Sequence, residues 1–315
     1  MLQVSGRRLG LRGEVLDHDT LSTLRPAWED LGRRSVEDNV YYGSRYAQAL
    51  LETVEKDRKV AFAVVWDETG LVALLPFTRA RFALPGLRAS ARAWKSEYTF
   101  SCTPLLDRDR KMEAAAVLLE VLASISSAEW VIPTVDTNGE ASRALIAALA
   151  RRGLPWAFLG RFRRACLESG SSFDEHMNRH VSAKRRKDLA RRRRRLEELG
   201  KVAHEIHGFG EGLDRAVSAF LEIEASGWKG RRGTALACNE LSREFAMKAF
   251  TGTEADSICR ADVLTLDGRP IAVNLTVFAG STGFTVKGSY DENYQSHAAG
   301  LLLEVEMIRS FLSGS

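Results

Sequence analysis

From Lys201 onward the apolar residues change their period in a fixed order, and that order limits the folds open to this chain. KVAHEIH alternates as a strand does, while residues 213–228 repeat at helical spacing with apolar side chains at 213, 217, 220, 221 and 228. Residues 241–250 form a second helical stretch. Three strand patterns follow, SICRADVLTL, PIAVNLTVF and TGFTVKGSY, the first two joined by the turn DGRP and the second pair by AGST. Gly300 then opens the apolar helix LLLEVEMIRSFL. Strands joined by turns this short lie antiparallel, so the pattern predicts an α/β (α+β) unit: a mixed, mostly antiparallel sheet flanked by helices.

The first half has a similar order. LGLRGEVLD reads as a strand, 21–31 and 46–54 as helices, and VAFAVVW with LVALLPFT as a hairpin across DETG. A strand near Tyr98, a helix over 111–123, the strand EWVIPTVD and a helix over 141–151 come next. WAFLGRFRRACLES reads as a closing strand or pair of strands, and ESGSS at 168–172 punctuates the chain. Two domains are expected, 1–168 and 169–315, related as a degenerate internal repeat. The second opens with a long basic helix over 173–199, ended by Gly200.

Composition excludes several classes. With 315 residues, 45% hydrophobic and only 7 Pro, the chain can bury two cores, which excludes disorder as its main state. No stretch approaches the roughly 18 uncharged apolar residues of a membrane helix. MLQVSGRRLG lacks an apolar signal core, so the expectation is a cytoplasmic protein without membrane insertion. The four Cys, at 102, 166, 238 and 259, form no CxxC pair and are expected to be buried free thiols. The six His show neither HxH nor HExxH, so no metal is expected.

The net charge of +4 is misleading, because the twelve residues KRRKDLARRRRR (184–195) alone carry +8 and leave the rest of the chain at −4. With Leu189 and Leu196 facing the core, Lys184, Lys187, Arg191, Arg194 and Arg195 lie opposite and are expected to be solvated. Arg185, Arg186, Arg192 and Arg193 flank the apolar stripe and are placed to reach phosphates. No aromatic residues interleave for base stacking, which argues against RNA.

Chemistry concentrates at YDENYQSHAAGLLLEVEMI, where a strand runs through small and polar residues into a helix. The first turn of a helix offers free N–H groups and a positive dipole end, a setting for phosphate at Ser296, His297, Ala298, Ala299, Gly300 and Leu301. No GK[ST] or GxGxxG accompanies it. Glu224 falls on the apolar face of the 213–228 helix, where a carboxylate is either a general base or one half of an ion pair, with Lys229 or an arginine of the basic helix as partner. GWKGRRGT follows directly, and Trp228 and Lys229 supply an aromatic wall and a cation for an anionic or sugar-like ligand. Lys287 and Tyr290 lie three apart on a strand, so at most one faces a cleft. Tyr290 and Asp291 are acid or base candidates, with a turn cap as the other reading of Asp291.

The stretches SAKRRKDLARRRRRLEELG, FLEIEASGWKGRRGTAL, LDGRPIAVNL and KGSYDENYQSHAAGLLLEVE together resemble the GNAT acyltransferase superfamily. More narrowly, they resemble its CelD-like, cellulose-biosynthesis-type branch, which is related to the tandem-GNAT Fem-type transferases. The resemblance implies an acetyl-CoA or other acyl-CoA co-substrate with its pyrophosphate at 296–301, and direct transfer to a small-molecule or saccharide-type acceptor with Glu224 as base. It places Trp228-Lys229-Gly at a family motif position, and by likeness to the Fem helix it sets Arg185, Arg186 and Arg192 near an anionic acceptor. The alternatives it carries are an aminoacyl-tRNA-dependent transferase and a non-catalytic scaffold of polysaccharide biosynthesis.

Two features depart from the family. SHAAG stands where Ser-Pro-Gly is usual, and the sequence ends at FLSGS, before the final strand and helix of a GNAT unit, so the second copy is expected to be incomplete with a shallow cleft. The edge of TGFTVKGSY then needs cover, from residues 156–166 of the same chain or from a homodimer partner. In the first half the matching junction, YTFSCTPLLDRDRKMEAAAVLL, places Asp107 and Asp109 at the helix start, where carboxylates exclude pyrophosphate.

Overall fold

The computed structural model describes residues 3–8, 10–79, 90–126 and 129–314. The chain divides into two compact units, Met1–Gly160 with Ala279–Thr282 and Arg161–Phe278 with Gly283–Ser315; the division after Gly160 falls eight residues before the expected one.

The first unit contains β1 (Gln3–Arg8), β2 (Leu11–Leu16), α1 (Leu21–Arg34), α2 (Ser44–Glu52), β3 (Ala61–Trp66), β4 (Leu71–Arg79), β5 (Ala91–Ala93), β6 (Leu105–Leu106), α3 (Lys111–Ile125), β7 (Trp130–Val131) and α4 (Glu140–Arg151). Its sheet runs β1-β2-β3-β4-β5-β7, with β6 also paired to β4. Pairing is antiparallel except between β5 and β7. β3 and β4 are buried along nearly their whole length, which explains their unbroken apolar runs. Trp28 donates to the Tyr42 carbonyl at 2.7 Å and the Tyr42 hydroxyl to the Trp94 carbonyl at 2.7 Å, so these two buried aromatic side chains have their polar atoms satisfied. Buried Asp107 accepts from the N–H groups of Asp109 (2.8 Å) and Arg110 (3.2 Å) and pairs with Arg34, so a carboxylate does occupy the approach to α3.

Two expected strands are absent. Around Tyr98 the Thr99 hydroxyl accepts from Ser96 N–H (2.8 Å) and donates to Ser96 O (3.0 Å), local bonds that close a turn instead of feeding a ladder. Residues 156–166 form no strand and are mostly exposed, Leu159 at 86% and Phe162 at 68%. Their alternating pattern suits a half-buried strand, but a strand also needs a neighbour to bond, and the pattern does not supply one. They do not join the edge of TGFTVKGSY. Cys102 and Cys259 are buried, whereas Cys166 and Cys238 are exposed, against the expectation of four buried thiols; all four are free. Burial pushes the Cys259 thiol up to about 12.

The second unit contains α5 (Phe173–His180), α6 (Ala183–Glu197), β8 (Val202–His207), α7 (Gly210–Ser226), α8 (Trp228–Arg231), α9 (Glu240–Phe250), β9 (Cys259–Leu266), β10 (Arg269–Ala279), β11 (Thr282–Tyr290) and α10 (Ala299–Ser313). The sheet runs β11-β10-β9-β8. Leu302 and Leu303 of α10 and Leu196 of α6 pack against Leu264, Leu266 and Ile271, with Leu189 at the margin. The order strand, helix, helix, strands, helix recurs in both units, and so does the spatial order: β2-β3-β4-β5 in one, β8-β9-β10-β11 in the other. In the first unit β7 lies parallel beside β5. Among the described residues no strand lies beside β11 on its outer edge.

The helix expected over 173–199 is two helices. Val181 is extended (φ −122°, ψ 121°), and Ser182 caps α6 by accepting from Arg185 N–H at 3.3 Å. Arg186 reaches back to the carbonyls of Met177 (3.1 Å) and Val181 (2.5 Å), satisfying the end of α5. The segment reads as one helical stretch, but the Ser side chain offers the backbone a bond that a continuous helix does not. Ser182→Ala should therefore lower stability by about 1 kcal/mol, measured as a shift in the urea midpoint with unchanged slope.

Candidate active site

β11 ends in a 3₁₀ turn, Glu292–His297, that delivers the chain to α10. Buried Asp291 sets the turn: its N–H bonds the Ile271 carbonyl (2.8 Å) and its carboxylate accepts from Asn293 N–H (3.0 Å), with Arg269 3.6 Å away. Asp291 is thus the turn cap, the second of its two expected readings. Ala298, at φ 55° and ψ 46°, then makes the corner into α10 in the left-handed region. That conformation costs a residue with a Cβ about 1–2 kcal/mol. It is held by Ala298 N–H to Gln295 O and Leu302 N–H to Ala298 O, both 3.0 Å. α10 starts without a side-chain cap, so the N–H groups of Ala299, Gly300 and Leu301 open its first turn toward an anion. The Nδ1 of His297 lies 3.1 Å from the Ser296 hydroxyl.

Of the four arginines flanking the apolar stripe of α6, Arg192 touches this loop, donating to the Ser296 carbonyl at 2.5 Å. Its Nε bonds Asp188 at 2.8 Å, and the hydrogen bonds from Arg192 and Arg191 hold that carboxyl below its ordinary range. Arg186 serves the end of α5. Arg193 pairs with Glu197 (2.6 Å) and with Glu306 of α10 (2.8 Å), and Arg185 stands 3.9 Å from Asp188. Lys184, Lys187, Arg191, Arg194 and Arg195 are exposed and Leu196 is fully buried, the two faces expected from spacing.

Glu224 is 3% exposed and engaged at both oxygens: Lys229 Nζ donates at 2.8 Å and Leu236 N–H at 2.8 Å. The ion pair with Lys229 is therefore present. Trp228 does not continue the buried face of α7, because the helix stops at Ser226 and extended Gly227 turns the chain outward; the indole is 46% exposed, with Arg232 5.3 Å over its ring. Gly230 is dictated by space, since a Cβ there would lie 1.7 Å from the Ala225 carbonyl oxygen. Glu292, a residue the sequence did not single out, accepts from Trp228 N–H (2.8 Å) and from Arg231 (2.7 Å). Those two bonds, Arg231's first, hold its carboxyl below the ordinary range. Nothing in the pattern YDENYQ distinguishes Glu292 from a solvated turn residue; only the folded loop supplies its partners.

Glu224, Trp228, Lys229, Tyr290 and Glu292 line one cavity of about 50 Å³, together with Ile223, Gly227, Gly288 and Ser289. It has room for one or two waters or a small polar group. Tyr290 also reaches the other half of the site, for a Cβ on Gly300 would sit 3.3 Å from its ring. The small size of Gly300 thus receives the tyrosine as well as baring the helix start. Lys287 is partly buried on β11 and is not among the residues lining this cavity. Among the described residues, no group of three or more His, Cys, Asp or Glu is placed to hold a metal, and no helix is long and apolar enough to cross a membrane.

Residues 183–313, which contain every element of this site, match the family model of the acetyltransferase (GNAT) domain. No curated protein matches the chain in sequence. Among solved structures, the chain is similar to FemX, with a TM-score of 0.52 and 12% identity over 94% of this chain and 85% of that one. It is similar to a conserved protein of unknown function from Bacteroides thetaiotaomicron, at TM-score 0.53 and 15% identity over 94% and 86%. A third is the C-terminal domain of a putative lysylphosphatidylglycerol synthetase from Agrobacterium fabrum, at 0.50 and 12% over 94% and 76%. At these identities the likeness is one of fold. The chain has a mixed, mostly antiparallel α/β fold, and its likeness to the acetyltransferase (GNAT) domain model is confined to residues 183–313.

The strain at Ala298 is testable by removing the Cβ. Ala298→Gly should raise stability by about 0.5–1 kcal/mol, the left-handed penalty less the added freedom of the unfolded chain, seen as a higher thermal midpoint.

Proposed function

We propose that this domain is a CelD-like acyltransferase that binds acyl-CoA at the start of α10 and passes the acyl group directly to a polar acceptor held beside α8. The observation that carries this reading is the uncapped first turn of α10, bared by the left-handed Ala298 and flanked by Arg192. Backbone N–H groups and a fixed cation are what a pyrophosphate requires. The residues present fit the ligand: of the two carboxylates at the turn, Glu292 faces Arg231 and Trp228, and buried Asp291 accepts from Asn293 N–H with Arg269 3.6 Å away, so both are compensated. The outer edge of β11 offers backbone N–H groups to the thioester carbonyl, where negative charge develops as the acceptor attacks. The acceptor's nucleophile forms a bond to the acyl carbon, the tetrahedral centre collapses, and the CoA sulfur leaves. Tyr290, between the cavity and Gly300, is the group placed to give its hydroxyl proton to that sulfur and to take in its place the proton that the acceptor's N–H or O–H loses on attack.

A second reading, transfer from an aminoacyl-tRNA, is favoured by the exposed cations Lys184, Lys187, Arg194 and Arg195 on one face of α6. A thermal-shift comparison with acetyl-CoA, longer acyl-CoAs and tRNA separates the two, since a ligand at 100 times its Kd stabilises by about 2.7 kcal/mol. The expected result is a shift with acyl-CoA that Gly300→Asp abolishes in a folded protein. Gly300→Ala is the control for crowding Tyr290. A folded Gly300→Asp variant with unchanged acetyl-CoA affinity by calorimetry would remove the site from this loop.

Glu224 has a second role to exclude. With both oxygens engaged it acts, on this reading, as the anchor of the 227–236 loop, so Glu224→Gln should lower the thermal midpoint while turnover per folded molecule stays within a few-fold. A loss of roughly 100-fold at unchanged midpoint would instead make it the general base.

A further inference from the structure

The proposed donor and acceptor positions belong to different loops, and one side chain holds both. Glu292 is the first residue of the turn that runs into Ala298 and α10. Its Oε1 accepts from Trp228 N–H at 2.8 Å and its Oε2 from Arg231 at 2.7 Å, so the single carboxylate carries the two ends of α8. A helix of four residues has no stability of its own; its order comes from what it is tied to. Its other ties include Lys229 to Glu224 at 2.8 Å, the Thr234 N–H and hydroxyl to the Lys229 carbonyl at 2.9 and 3.3 Å, and Cys238 Sγ to the Gly230 carbonyl at 3.8 Å. At the far end of the turn, Arg192 fixes the Ser296 carbonyl. A continuous path of bonds therefore runs from α6 through the phosphate loop and Glu292 to the loop that bears Trp228 and Lys229.

We infer that Glu292 is a positioning residue that couples occupancy of the donor loop to the order of the acceptor loop. This rests on the acyl-CoA reading of the loop. An anion bound to the N–H groups of Ala299, Gly300 and Leu301 immobilises the turn behind them, and Glu292 then holds α8 against a fixed support. The acceptor that follows has less disorder to remove, which is cooperativity carried by rigidity alone. Glu292→Gln keeps an oxygen for Trp228 N–H but loses the charged bond to Arg231; Glu292→Ala loses both.

Hydrogen–deuterium exchange of the full chain with and without CoA tests the coupling. In the wild type CoA should slow exchange at 299–302 and also at 228–233. In Glu292→Ala the protection at 299–302 should persist while that at 228–233 disappears, with Glu292→Gln in between. A tether that is only structural would raise exchange at 228–233 equally with and without CoA, leaving the CoA-dependent difference intact. Wild-type protection confined to 299–302, or a CoA-dependent change at 228–233 that survives in both variants, overturns the coupling and leaves the acyl-CoA reading standing. Absence of CoA protection at 299–302 overturns both.

Discussion

A helix that begins without a side-chain cap leaves strong hydrogen-bond donors facing outward, and the second unit of this protein is organised around one such start. Ala298 takes up a conformation unfavourable to any residue but glycine to bring α10 in at that angle. The surroundings hold it there: Asp291 closes the preceding turn, Arg192 grips the Ser296 carbonyl, the Tyr290 ring fills the space over Gly300, and Leu302 and Leu303 bury the helix against the sheet. Strain at one residue persists because several independent contacts determine the same geometry.

The first unit shows the contrasting solution. It has the same order of elements, but a buried carboxylate, Asp107, takes the N–H groups of the chain entering α3 and is neutralised by Arg34. The N–H groups of Asp109 and Arg110 are thereby taken and are not open to an anion. The two units thus share an order of elements and a carboxylate in the chain entering the helix, Asp107 accepting from two N–H groups before α3 and Asp291 from one before α10.

Charge is handled with similar economy near the loop. Both carboxylates lining the small cavity, Glu224 and Glu292, are matched by a cation and a backbone N–H each. An unmatched carboxylate beside a phosphate would oppose it; matched ones instead brace the loops. The arginine-rich helix divides in the same way. Arg186, Arg192 and Arg193 are spent on carbonyls and carboxylates of the unit, and the cations on the opposite face meet solvent.

The elements of both units were legible in the sequence wherever period and punctuation agreed: the meander β9 to β11, α7, α10 after the small residues, and the two faces of α6 around Leu189 and Leu196. The position of the candidate phosphate loop was legible too, because a strand followed by small residues and an apolar helix is a local pattern. What failed was whatever depended on partners distant in the chain. Residues 156–166 have a strand's alternation and form no strand, the break at Ser182 falls inside a stretch that reads as one helix, and Trp228 leaves the face that spacing assigned it. Glu292 was invisible for the same reason. The sequence by itself determined the helices and strands whose period and punctuation agree, since those follow from neighbours three or four residues away. Only the tertiary structure decided that Glu224 is paired, that Glu292 joins two loops 61 to 64 residues apart, and that Arg192 is the arginine at the loop, because hydrogen-bond partners are chosen by proximity in space.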